Sequence, residues 1–248
     1  MNDHLVPRDQ VSPGDRAAMF SLLDRHYENV TRQQFESDLE EKNWVILLHD
    51  ARGRLRGFTT FRFEAHDGPA SGPCHLVTSG DTIVDPEAWG STALLRAWLR
   101  GVMSLRSAGP AADRPVYWLL ITSGFRTYRF MPTFWNVFYP RHDAPTPIAA
   151  QRRIDALARA RYGDAYDAKT GIVHLPRPQR LRPHLQGVPD SRRIDPHTAF
   201  FTECNPGHAA GDELVTITEI SEENLTRAGR RILHTLRSPG RVPKVRMP

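Results

Sequence analysis

The sequence predicts an α/β (α+β) fold in which helices pack on one mixed β-sheet. Three observations carry the prediction. Residues 75–84 are rich in Val, Ile and Thr, whereas Leu94, Leu95, Trp98, Leu99, Val102 and Met103 recur at the spacing of one helix face. The period therefore switches from strand to helix within 75–106. Two apolar runs, 44–49 and 55–63, flank the turn Asp50-Ala-Arg-Gly53, which is the pattern of a hairpin. Residues 116–122 are continuously apolar, as a strand covered on both faces must be.

The remaining elements follow in order. Ser12 caps a helix with Pro13 at its first position, and Ala18, Met19, Leu22, Leu23 and Tyr27 supply its inner face. Thr31 caps a second helix over 33–42, with Phe35 and Leu39 inward. After the hairpin, 66–72 reads as loop. The strand 75–84 passes through a turn into a helix over 89–106, and a Gly-, Pro- and Ala-rich break follows at 107–115. Ser123 and Gly124 end the strand 116–122, and 127–139 is an aromatic-rich helix or irregular segment broken by Pro132. A helix over 148–162 turns Ile154 and Leu157 inward, ahead of the Pro- and Arg-rich passage 176–187. Residues 197–203 and 214–218 read as two strands of a last hairpin, before a short helix over 221–234 and a loose tail. The expected organisation is a core at 1–140, a helical or irregular insertion at 141–196, and a C-terminal hairpin and helix at 197–248 that complete the same domain.

Composition narrows the function. The 248 residues can bury a sizeable core, and no apolar run reaches the length of a membrane span. The polar N-terminus lacks the apolar centre of a signal peptide, so cytoplasm is the expected location. Cys74 and Cys204 form neither a disulfide framework nor a metal-ligand pattern, and no metal is expected. The net charge of +5 comes from arginine, whose planar fork suits phosphates and carboxylates. The arginines are scattered and not interleaved with aromatics, which argues against a nucleic-acid platform.

The turn Val84-Asp-Pro-Glu-Ala-Trp89-Gly90-Ser91-Thr92 carries the chemistry. It delivers a strand into a helix whose first turn holds Gly90, Ser91 and Thr92. Free backbone N–H groups and the positive end of the helix dipole there suit a phosphate, although an ordinary connection between strand and helix reads the same way. Asp81 lies inside an otherwise apolar strand, a costly place for a carboxylate unless it is paired or functional.

Together, the element order and the run Val84 to Leu95 resemble the Gcn5-related N-acetyltransferase (GNAT) superfamily, and in part its N-acyl amino acid synthases. In that family a Q/R-x-x-G-x-G/A turn holds the pyrophosphate of an acyl-coenzyme A. Here Glu87 stands where Gln or Arg is usual, and Ser91-Thr92 replace the small-residue end. The resemblance implies a mostly antiparallel sheet with pantetheine lying between splayed strands. It further implies transfer of an acyl group from acyl-CoA, or from the acyl-phosphopantetheine of an acyl carrier protein, to an amine of a small molecule or amino acid. On this reading Ile83, Val84, Trp89, Gly90, Ser91, Thr92 and Ser123 bind the donor. Asp81 is the base or amine-binding group, and Tyr128 is the acid toward the thiolate. The competing expectations are an inactive binding protein of the same fold and a basic factor associated with nucleic acid.

Overall fold

The computed structural model describes residues 1–68, 71–89, 91–108, 113–186 and 188–237. In chain order its elements are β1 (Asn2–Pro7), α1 (Pro13–His26), β2 (Tyr27–Glu28), α2 (Arg32–Glu40), β3 (Trp44–His49), β4 (Leu55–Gly68) and β5 (Gly72–Val84). Then follow α3 (Ala93–Ser107), β6 (Val116–Thr122), α4 (Phe125–Tyr128), α5 (Phe130–Phe134), β7 (Phe138–Tyr139) and α6 (Ile148–Tyr162). The chain continues through β8 (Tyr166–Asp167), β9 (Ile172–Val173), β10 (Arg180–Leu181), α7 (Asp190–Arg193), α8 (Pro196–Cys204), β11 (Glu213–Glu219) and α9 (Arg227–Arg237).

One sheet runs in the order β1-β3-β4-β5-β6-β11-β9-β8, with β7 also paired to β11. Its pairs are antiparallel except β5 with β6, which are parallel and joined by the crossover helix α3. The mixed, mostly antiparallel sheet expected from the sequence is therefore the one observed. Period-2 alternation covers both of its faces. Trp44, Ile46 and Leu48 of β3 pack toward α3 with Trp98, Leu99 and Val102, whereas Val45 and Leu47 pack toward α1 and α2 with Met19, Leu23 and Phe35. Leu119 and Val215 meet Ile154 and Leu157 of α6. Each such buried side chain contributes about 1.5–3 kcal/mol relative to an exposed one. Both expected caps form: Ser12 accepts the Asp15 N–H at 3.0 Å, and Thr31 accepts the Gln34 N–H at 3.1 Å.

Four expectations are corrected. Residues 197–203 are the helix α8, not a strand. Pro196 opens that helix and the Asp195 carboxylate caps it by accepting the Thr198 N–H at 3.1 Å, a start signal that outweighs the aromatic and Thr content. β11 thus has no hairpin partner there and instead pairs with β6, β7 and β9. Residues 66–72 are not loop throughout, since β4 and β5 stay paired out to Gly68 and Gly72. The helix after β5 begins at Ala93 instead of Trp89, because Pro86–Ala88 forms a 3-10 turn capped by Asp85. Finally, the N-terminal segment to which no element was assigned is β1, an edge strand along β3.

Candidate active site

The cavity grows out of the way β5 and β6 part. Their parallel pairing runs only from His75–Val116 to Thr78–Leu119. Beyond that point β5 stays with β4 and β6 stays with β11, so two strand edges diverge. The cleft opens into a cavity of about 1330 Å³ lined by Ser79 to Val84 on one side and Leu120 to Gly124 on the other. The Trp118 indole N–H donates to the Ser79 hydroxyl at 2.9 Å and pins the point of divergence.

Asp81 sits at a β-bulge. Thr59 pairs with Thr82 and Phe61 with Ser79, so Gly80 and Asp81 together oppose the single residue Thr60. An extra residue re-aims the side chains beside it. A Cβ at Gly80 would meet the Thr60 hydroxyl and the Lys42 side chain, so those side chains would have to move to admit one. Asp81 lines the cavity, and burial pushes its carboxyl up to about 6, helped by the charge of Asp38 and opposed by Lys42. No hydrogen bond relieves that carboxyl among the described residues.

Glu213, at the start of β11, is a second cavity carboxylate that the sequence did not single out. Burial, and then Asp81, raise it to about 8, while the backbone N–H of Ser123 hydrogen-bonds to it. Tyr27 and Tyr162 line the same region, and burial raises both phenols. Lys42 is 8% exposed and its ammonium is pushed down by burial. The only sequence signal for Glu213 was its place after a turn, where a charged residue is ordinary.

Other cavity walls are basic. Arg126 lies 4.1 Å over the Trp89 ring, whose N–H donates to the Val84 carbonyl at 2.8 Å. Burial lowers the Arg126 guanidinium, and the like charge of Arg192 lowers it further. Neither arginine has a carboxylate partner among the described residues. The Ser91 hydroxyl accepts the Ala93 N–H at 3.1 Å, which sets the start of α3, while Thr92 makes no side-chain cap. Glu87 ion-pairs with Arg56 at 3.0 Å and is not among the residues that line the cavity.

A strap over residues 175–181 forms another wall of the cavity. β10 pairs with β2, Leu181 opposite Tyr27, and the Arg182 guanidinium donates to the Asp24 and Arg25 carbonyls at 3.0 and 3.1 Å. These are the open carbonyls at the end of α1, which a basic side chain satisfies well.

Of the residues expected at the site, Asp81, Ile83, Val84, Trp89, Ser91, Thr92 and Ser123 line this one cavity. Gly90 lies outside the described residues. Tyr128 does not line the cavity: it is fully buried against Phe138, Phe200 and Phe201, and its hydroxyl donates to the Pro140 carbonyl at 3.1 Å. Tyr128→Phe is therefore expected to cost about 1 kcal/mol of stability, the worth of one hydrogen bond. Its turnover should stay within threefold of wild type, and a 100-fold loss would return the tyrosine to the chemistry.

No family model and no curated protein matches the sequence. Among solved structures, the GNAT family N-acetyltransferase YhbS of Escherichia coli in complex with CoA is 16% identical, with a TM-score of 0.39 over 54% of this chain and 69% of that one. GCN5 of Tetrahymena is 11% identical, with a TM-score of 0.40 over 58% of this chain and 83% of that one. Glucosamine-6-phosphate N-acetyltransferase of Arabidopsis thaliana is 12% identical, with a TM-score of 0.35 over 48% and 82%. No described helix is long and apolar enough to cross a membrane. Each of these three likenesses covers roughly half of this chain.

Proposed function

We propose that this protein is an N-acyltransferase that moves an acyl group from a coenzyme A thioester to an amine of a small molecule. The observation that carries the reading is the cleft between β5 and β6, whose walls hold the carboxylates Asp81 and Glu213 together with Arg126 and Arg192, which have no carboxylate partner among the described residues. A thioester with a phosphate-bearing tail and an amine that must lose a proton need both kinds of group. The pantetheine arm would lie along the diverging edges, where unpaired backbone groups of β5 and β6 serve it as a neighbouring strand would. Arg126 and Arg192, with the Ser91–Thr92 segment, would hold the phosphates as charge-assisted partners.

In the reaction the amine nitrogen attacks the thioester carbonyl carbon, the C–S bond breaks, and an amide and a thiol result. The amine proton passes to Asp81, with Glu213 sharing the charge, and the thiolate takes a proton from solvent or a cavity acid. Pushing both carboxyls up by burial brings them closer to the basicity that proton abstraction at neutral pH requires. An acyl carrier protein would present the same thioester and pantetheine arm, and Arg177 and Arg180 of the strap would suit its acidic surface.

Titration calorimetry with CoA tests the donor. Binding by wild type and a roughly 10- to 100-fold weaker affinity in Arg126→Ala, the scale of a lost charged hydrogen bond, are expected. Absence of CoA binding together with absence of thiol release from acetyl-CoA would sink the reading. Parallel assays with acetyl-CoA and acetylated acyl carrier protein decide the donor.

A further inference from the structure

Of the 33 lysines and arginines in this chain, only Lys42, Lys169 and Lys244 are lysines. An arginine keeps its proton at any ordinary pH, whereas a buried lysine gives its proton up more readily and becomes a nucleophile. Lys169 is exposed, and Lys244 lies outside the described residues. Lys42 is 8% exposed and lines the cavity that also holds Asp81 and Glu213. One amine of the chain therefore stands in the space where an amine is to be acylated.

Lys42 follows α2, and its side chain reaches the bulge in β5. A Cβ at Gly80 would meet the Lys42 Cε, so the last carbon before the amine lies against Gly80, the residue next to Asp81. The hydrogen bond to the Asp38 backbone carbonyl, at 3.2 Å, is the one the amine makes among the described residues. Carboxylates near it are occupied elsewhere. Glu41 stands 3.9 Å away and is held by Arg161 of α6, and the Asp38 carboxylate accepts from the Gln34 amide at 2.7 Å. A buried lysine that serves only the fold is held by a close carboxylate, because an unpaired buried charge is costly. Burial pushes the Lys42 ammonium down, outweighing Glu41, Asp81 and Asp38, which favour the charge, while Arg161 opposes it as well.

We propose that Lys42 is an acyl acceptor built into the protein, taking the acyl group of the donor thioester when no amine substrate occupies the cavity. The proposal rests on the acyltransferase reading for the donor, whereas the burial and position of the amine stand on the structure alone. In the step, the free amine of Lys42 attacks the thioester carbonyl carbon through Nζ and the C–S bond breaks. One amine proton passes to the Asp81 carboxylate, and the sulfur leaves as a thiol once that proton, or one from solvent, reaches it. The product is an amide on Nζ. It is neutral, so the cation that opposes the rise of the Asp81 carboxyl is gone.

The test incubates the full chain with acetyl-CoA and no amine, and reads intact mass and the labelled peptide. One acetyl group per chain is expected on Lys42, with the exposed Lys169 labelled roughly tenfold less or lower still, because only Lys42 shares a cavity with the thioester. Labelling should quicken as pH rises, by up to about tenfold per unit, since the free amine is the nucleophile. An excess of free CoA should slow it, and Lys42→Arg, which keeps the charge, should lose the adduct. Equal labelling of Lys42 and Lys169, or an unlabelled Lys42 in protein that binds CoA, would overturn the proposal and leave the acyltransferase reading intact. If CoA neither binds nor is released from acetyl-CoA, the acyltransferase reading falls. The small ester p-nitrophenyl acetate, which carries no phosphate, then decides the amine by itself: selective labelling of Lys42 upholds the reactive lysine, and labelling of Lys169 to the same or a greater extent removes it.

Discussion

Asp81→Asn is expected to lower acyl transfer by about 100-fold or more at saturating donor and amine, the scale of a positioned proton transfer. The same variant should be at least as stable as wild type at pH 7. The sign follows from the direction of the shift. Folding raises the Asp81 carboxyl from its ordinary value to about 6, so the folded state holds the proton more tightly than the unfolded chain. Stability is thus lost as pH rises from about 4 through about 6, and the charge that catalysis needs is carried at a cost above that range. Asn keeps the shape and removes the cost. Urea unfolding at pH 7 and thiol release by the same preparation decide the matter together. A variant that loses stability marks the carboxylate as structural, and one that turns over normally leaves the site without its base. In wild type the acid limb of the rate should fall between about pH 6 and about pH 8, as one titration shared by Asp81 and Glu213.

Trp118→Ala should be among the most destabilising single changes, at about 3–5 kcal/mol, the range for removing a large buried ring. Trp118 is 1% exposed, its ring centroid lies 4.0 Å from that of Trp98 on α3, and its N–H holds Ser79. The residue joins the crossover helix to the sheet at the place where β5 and β6 separate. For a chain of this size the melting temperature should fall by roughly 6–20 °C. Where the variant is still folded, donor affinity should weaken, because the cleft depends on that fixed point. Trp118→Phe keeps most of the buried area and should recover most of the stability without the Ser79 contact. Melting curves within 2 °C of wild type for Trp118→Ala would show that the ring is not a keystone of the core.

The strands and helices that position the site were legible along the chain because their signals are local. The period change between Val84 and Leu94, the Asp50–Gly53 turn and the caps at Ser12 and Thr31 each involve neighbours within a few residues. The run 197–203 misled because Thr, Phe and Phe suit a strand as well as a helix, and only the Asp195 cap and Pro196 separate the two. β1 carried no signal, since an edge strand is defined by the strand it joins.

By itself, then, the sequence determined the α/β class, the strand-turn-helix at Val84 to Leu95, and the anomaly of a carboxylate at Asp81 within an apolar strand. Tertiary structure decided which groups share one space. It brought Glu213 and Ser123 to Asp81 from elements far apart in the chain, buried Tyr128 away from them, and laid Arg192 beside Arg126. It also turned Asp81 toward the cavity through a bulge opposite Thr60, which no residue preference announces. The reason is physical: periodicity and capping are set by backbone geometry between neighbours, whereas desolvation and charge coupling depend on distances that exist only after the chain has closed on itself.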